Sequence, residues 1–285
     1  MSQPSPLGGG RLRWALLAAA ALYLLVPFVA TALYSVATVW RSEALPDGYT
    51  LRWWGQTLTS DRLLAAGGRS LLLACGSVLV INLLVLPPLY WSRIRAPRIR
   101  TVMQLCAVLP FALPFLVIAY GIRELAALSP LTAPLQTSTL LLFLGHVAIA
   151  FPFYLWSVDA AMSAAGVERL HEAAEASGAG PATTLLRVIL PNVKVGVVAG
   201  SLLAFATSIG EFSVARLTTG AAFETLPLWQ VAQIQDTHGN PNGLAVVTLA
   251  TFGLLFAISI VLVRLGGGQP LRLLPGARAS AEEQP

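Results

Sequence analysis

Residues 168–191 read Glu-Arg-Leu-His-Glu-Ala-Ala-Glu-Ala-Ser-Gly-Ala-Gly-Pro-Ala-Thr-Thr-Leu-Leu-Arg-Val-Ile-Leu-Pro, the longest polar interruption among the later apolar runs of the chain. The stretch suits two short helices with a break at Gly178-Ala179-Gly180-Pro181. Alanine and glutamate favour the first helix. Gly178 or Gly180 can take the left-handed conformation that ends it, and Pro181 suits the first turn of the second. An exposed helix-turn-helix between two apolar runs is expected to dock a separate, soluble protein.

What surrounds this stretch sets the class. The chain is 56% hydrophobic and 11% charged, far from the balance of a soluble domain. Six apolar runs approach the roughly 20 residues that cross a bilayer, so the expected fold is all-α, a polytopic membrane protein with six transmembrane helices. Residues 1–13 are read as a disordered cytoplasmic N-terminus, 14–265 as the membrane domain and 266–285 as a disordered cytoplasmic tail.

The first run extends from Trp14 to Val39. Ala30-Thr31-Ala32 resembles a signal-peptide cleavage site, but the run continues past it and is too long for such a segment, so it is read as the first span. A polar lead-in, Arg41 to Gly68, carries Trp53 and Trp54, whose indoles suit a membrane–water interface with their N–H groups wet. The second span runs from about Ser70 to Tyr90. The third, Thr101 to Tyr120, contains Pro110 and Pro114 and is expected to kink. The fourth covers Thr137 to about Ala160, the fifth starts near Val195 and the sixth covers about Leu244 to Val263. Cys75 and Cys106 both lie in apolar runs and act there as small hydrophobes.

The basic residues orient the chain. With the N-terminus inside and six alternating spans, inner segments hold Arg11, Arg13, Arg93, Arg95, Arg98, Arg100, Arg169, Arg187, Lys194, Arg264, Arg272 and Arg278. Outer segments hold Arg41, Arg52, Arg62, Arg69, Arg123 and Arg216. Twelve against six follows the positive-inside rule and puts Glu168–Pro191 in the cytoplasm. The arginines of Ser92–Arg100 are thus an orientation signal. Without an aromatic-interleaved basic stripe, nucleic acid is not an expected partner.

Glu172-Ala173-Ala174, then Gly178, then Val188-Ile189-Leu190-Pro191 follow the pattern EAA-x3-G-x9-I-x-L-P, with Val188 in place of the usual isoleucine. On this motif the chain resembles the permease subunits of binding-protein-dependent ABC importers of type I. The similarity continues through Gly196–Gly200 to Gly210-Glu211-Phe212, and more loosely over residues 50–265. The resemblance implies a multi-pass protein of the bacterial inner membrane, one half of a translocation pore. Its implied partners are ATPase subunits, a second identical or similar permease and an extracytoplasmic solute-binding protein, besides membrane lipid. ATP and Mg would sit on the ATPase, with no cofactor on this chain. The helix of Glu172, Ala173 and Ala174 would enter a cleft on the ATPase, Gly178 would give the bend that presents it, and Val188, Leu190 and Pro191 would belong to the second leg, with Leu190 and Pro191 anchoring it at the membrane. The tract Phe205–Phe212, with Thr225-Leu226-Pro227-Leu228, looks most like the branch that handles polyamines, iron(III), thiamine or phosphonates.

Catalysis finds no footing in the residues. The only lysine, Lys194, follows Val193, so the Gly-Lys-Ser/Thr core of a phosphate-binding loop is missing. His146, His171 and His238 lie far apart with no metal-ligand spacing, and no metal site is expected. His146, inside the fourth span, is expected to be packed and hydrogen-bonded.

In the fifth span Gly196, Gly200, Ala204 and Ser208 recur every four residues, a face on which another helix packs closely. The uncharged run Val195–Ile209 covers only about 22 Å, so Glu211 falls in the outer part of the span or at its mouth. Two readings stand for it: with Ser208 and Ser213 it lines the pathway, beside a helix break at Gly210, or it is an interfacial acid paired with Arg216. The competing class is an ion-coupled secondary transporter, which predicts acids deep in several spans; only Glu211 and the edge residue Asp159 approach that. A membrane scaffold would leave the spacing of Glu172 to Pro191 unexplained.

Overall fold

In hydrocarbon a backbone must satisfy its N–H and C=O groups within the segment, so long apolar runs become helices. A computed structural model describes residues 7–40, 45–236 and 239–265. The expectations for residues 1–6 and for the tail from 266, and those for Arg41, His238, Arg272 and Arg278, lie outside the described residues.

Among the described residues, five helices are long and apolar enough to cross a membrane: α1 (Leu7–Val36), α3 (Asp61–Ile94), α6 (Thr139–Ala165), α9 (Leu190–Ile209) and α12 (Pro241–Leu265). A sixth crossing exists only if α4 (Pro97–Ala112) and α5 (Phe115–Ala127) count together, because they meet at a bend of 112°. The expected proline kink is therefore a full break. Leu113, which precedes Pro114, is extended (φ −120°, ψ 140°), as a residue before proline prefers, and this stops α4.

Helix ends also depart from the apolar runs. α1 begins at Leu7, inside the segment expected to be disordered, and α3 begins at Asp61 and continues through Pro87-Pro88 to Ile94. Between the long helices lie the short helices α2 (Arg52–Leu58), α7 (Val167–Ala176), α8 (Pro181–Thr183), α10 (Ser213–Thr218) and α11 (Leu226–Gln235), with 3₁₀ turns at Ala133–Leu135 and Gly220–Phe223.

The core is built from α3, α6 and α9. Gly196, Gly200, Ala204 and Ser208 are all buried, as the small-residue face predicts. A Cβ on Gly196 would collide with the Ala161 side chain, and one on Gly200 would sit 3.2 Å from Tyr154 Cα, so both glycines are set by backbone approach to α6. Ser157 donates to the Gly196 carbonyl at 2.9 Å. Tyr154 donates to Asn82 at 2.9 Å and Asn82 to Ser201 at 3.0 Å, a polar pin through α6, α3 and α9. The largest apolar cluster includes Leu89, Tyr154, Val158, Val167, Ile189 and Val193, so both ends of the 168–191 stretch are rooted in it.

α1 lies against α12 and α2, largely exposed. Trp53 Nε1 donates to the Ala37 carbonyl at 2.8 Å and Trp54 Nε1 to Ser35 Oγ at 3.3 Å. These N–H groups, expected to meet water, instead close the end of α1. Cys75 and Cys106 are free thiols on exposed helix faces.

Candidate functional site

α6 runs into α7 through Gly166, which has φ +62°, and α7 ends at a turn where Gly178 has φ +79°. Between them Glu172, Ala173, Ala174 and Ala176 favour helix. The turn is closed by backbone donors: Gly178 N–H to Glu175 O at 2.9 Å and Ala179 N–H to Ala174 O at 3.0 Å. Nothing lies within 4 Å of where a Cβ would stand on either glycine, so conformation and not space requires them. Gly180, the other residue considered for this role, is extended (φ −73°, ψ 161°).

Pro181 opens α8 as expected, but the second leg is no separate helix. Thr184–Ile189 forms a π-helical stretch that continues directly into α9, so this leg is the first part of the fifth span.

Val167, His171 and Ala174, spaced by four and three, face inward, while Arg169, Glu172, Ala173 and Glu175 are exposed. Gly178 is exposed too. Val188 and Leu190 are half-buried against the main cluster, Pro191 is exposed, and Ile189 between them is fully buried. Ile189 thus anchors the second leg more deeply than Leu190 or Pro191.

A polar network holds the inner side of α7. Tyr90 Oη and His171 Nδ1 pair at 2.7 Å. Arg93 donates to Asp159 Oδ1 at 2.7 Å, to the Asp159 carbonyl at 2.6 Å, to Ser163 Oγ at 3.1 Å and to Glu168 at 3.0 Å. Arg100 and Gln104 donate to the same Asp159 carboxylate, at 2.8 and 3.1 Å. Farther out, Arg95 meets Glu175 at 3.0 Å. The Arg93 side chain is only 4% exposed and that of Asp159 11%, which makes their pairing a near-buried one.

At the other end of α9 the helix stops at Ile209, breaks over Gly210-Glu211-Phe212 and resumes as α10. Glu211, 4% exposed, accepts the N–H groups of Ser213 (2.7 Å), Val214 (2.9 Å) and Ala215 (3.3 Å). Those are the donors that a helix start leaves open, and a carboxylate suits them. The carboxylate therefore caps α10 and does not pair with Arg216. His146 Nδ1 lies 2.8 Å from Ser208 Oγ, the packed and hydrogen-bonded state expected of it, while its Nε2 is 3.8 Å from Glu211 Oε2. Ser208 is buried and Ser213 half-buried beside the same break.

Residues 88–266, a segment that includes α7, its turn and the α9–α10 break, match the family described as the binding-protein-dependent transport system inner membrane component. The chain belongs to that family. It is a multi-pass transport permease subunit of the ABC importer type. The spermidine/putrescine transport system permease protein PotC of Escherichia coli K12 is 27% identical over 258 residues, covering 90% of this chain and 92% of that one. The putrescine permease PotI of the same organism is 23% identical with the same coverage. A probable molybdenum ABC transporter permease of Haloferax volcanii is 35% identical over 176 residues, 60% of this chain and 64% of that one. In fold, the chain resembles a chain in the crystal structure of a bacterial ABC transporter involved in alginate import, with TM-score 0.65, 17% identity, and coverage of 93% of this chain and 99% of that one.

For a permease of this family the sequence reading missed the network behind α7. Arg93 and Arg100 were read as orientation charges only, and Tyr90, His171, Glu168 and Glu175 had no role. One signal was available: Asp159 is the only acid within α6, and Ser92–Arg100 carries arginines with no acid of its own.

Proposed function

We propose that this permease forms half of the translocation pore of an ATP-driven importer and docks a separate ATPase through the exposed face of α7. The observation that carries the reading is Glu172 and Ala173 outward on a short helix held between two left-handed glycines, Gly166 and Gly178. Ala174 fills the inner side, Gly178 fixes the turn, and Val188, Leu190 and Pro191 lead the second leg into α9. ATPase closure would move this leg and the helices behind it as a body. The chain itself performs no catalysis, with ATP and Mg on the ATPase. A second identical or similar permease completes the pore, and a binding protein delivers solute from outside. Both termini lie in the cytoplasm in this reading, in keeping with the arginine distribution.

Ser208, Glu211 and Ser213 belong to the pathway indirectly: by holding the α9–α10 break they shape its wall, since Glu211 spends its acceptors on α10. The proposed solute is a polyamine, supported by similarity to PotC and PotI along nearly the whole chain. The higher but shorter identity to the molybdenum permease makes molybdate the second candidate.

Proteoliposomes holding the permease, ATPase and binding protein would test this. The expected result is ATP-dependent uptake of labelled spermidine. Uptake of molybdate instead would move the solute class, and uptake driven by a proton gradient without ATPase would overturn the function. For topology, single cysteines at Ser177 and Asn240, in a variant lacking Cys75 and Cys106, should label from opposite faces.

A further inference from the structure

α7 could pivot. Both flanking glycines sit in open space with left-handed backbones, and a cleft of about 280 Å³, lined by Arg93, Arg95, Glu168, His171 and Glu175 among others, separates its inner side from the end of α3. Across that cleft the helix is held by polar bridges: Tyr90 to His171, Arg93 to Glu168, and Arg95 to Glu175. Arg93 is the bridge with the most partners. Its guanidinium starts on α3, reaches Glu168 on α7 with Nη1, and holds Asp159 and Ser163 of α6 with Nη2. Asp159 in turn fixes Arg100 and Gln104 of α4. One planar fork thus ties α7 to three membrane helices, a geometry that a lysine's single ammonium cannot reproduce.

We infer that Arg93 is the positioning residue that carries motion of α7 into α3, α4 and α6. On this account the turn at Gly178 presents the docking face, and the force route into the membrane runs behind the helix from Glu168 to Arg93, with the Tyr90–His171 pair as a second link to α3. The inference rests on the docking role proposed above and adds the route by which docking acts. Val167 and Ala174 pack α7 against the core, and the Arg93 fork adds a directed polar link from α7 to the spans, the kind of contiguous contact through which coupling travels.

The test uses the reconstituted complex, with wild type in parallel. Tyr90→Phe combined with Glu168→Ala removes two bridges at the α7 side and leaves the Arg93–Asp159 pair intact. The variant should accumulate and co-purify with the ATPase as wild type does. Uptake per ATP hydrolysed, and stimulation of hydrolysis by binding protein, should fall by about 5-fold or more, the range of a typical coupling energy. Glu168→Gln, which keeps an acceptor for Arg93, should recover part of the loss.

Unchanged coupling in the double variant, with an active wild type, overturns the inference alone. Loss of ATPase binding also overturns it, since the bridges would then serve docking. An inactive wild-type complex would bring down the transport reading and this inference with it. If the double variant does not accumulate, Glu168→Ala alone, at a half-exposed position, must still show the loss.

Discussion

Two of the chain's polar helix breaks, at Gly178 and at Gly210–Phe212, are built in opposite ways. At Gly178 the break is exposed, its backbone closes on itself, and Glu172 and Ala173 beside it face outward. At Gly210–Phe212 Gly210 is exposed but the Glu211 carboxylate is buried, and it is consumed by the N–H groups of Ser213, Val214 and Ala215. An ionisable residue next to a helix break therefore has no single meaning. Where the backbone is already satisfied, side chains are left over for a partner. Where it is not, the side chain completes the fold.

The sharpest way to break this contrast is to remove the buried cap. Glu211→Ala would leave buried N–H groups without partners, at about 1–3 kcal/mol each, so folded protein should fall markedly in detergent unfolding assays. Glu211→Gln keeps one acceptor oxygen and should cost less. If Glu211→Ala unfolds like wild type yet fails to transport, the residue acts on the solute and the contrast is wrong.

The exposed break should respond in the reverse order. Gly178→Val forces a β-branched residue to a φ near +79°, a strain of about 1–3 kcal/mol confined to a surface turn. The protein should accumulate and insert, while uptake and stimulated hydrolysis are lost. Gly178→Ala should meet no clash, since the space around it is open, and should show a weaker version of the same defect. A fully active Gly178→Val would remove the turn from the mechanism.

Glu172→Lys is the mildest change for the fold. On an exposed helix face it should alter stability by no more than about 0.5 kcal/mol, and yet it should weaken ATPase stimulation. Wild-type stimulation would mean that this face is not the contact.

What the sequence could and could not reveal follows the same division. The spans were legible because a bilayer imposes length and apolarity on each one locally. The turn was legible too, since Gly178 and Pro181 act on their own backbones. Helix ends were less so: apolar runs mark the hydrocarbon, and α3 extends past its run on both sides, to Asp61 and Ile94. Pro110 and Pro114 marked where the third span bends, and the extended backbone of Leu113 before Pro114 makes that bend a full break. Glu211 was legible as unusual by depth alone, whereas its partners depended on α10 starting at Ser213. The Arg93–Asp159–Arg100 network was the hardest to see, because its members come from three helices and sequence carries no pairing code for them.

The docking face itself can be tested by protection. A single cysteine at Ala173, in a variant lacking Cys75 and Cys106, should react readily with a membrane-impermeant maleimide in inside-out vesicles of the permease alone. With the ATPase assembled on it, the same cysteine should be shielded and label at least about ten-fold more slowly, because a residue in the dry centre of an interface loses solvent. Equal labelling with and without the ATPase, in vesicles where co-purification shows the complex intact, would contradict the assignment of α7 as the contact.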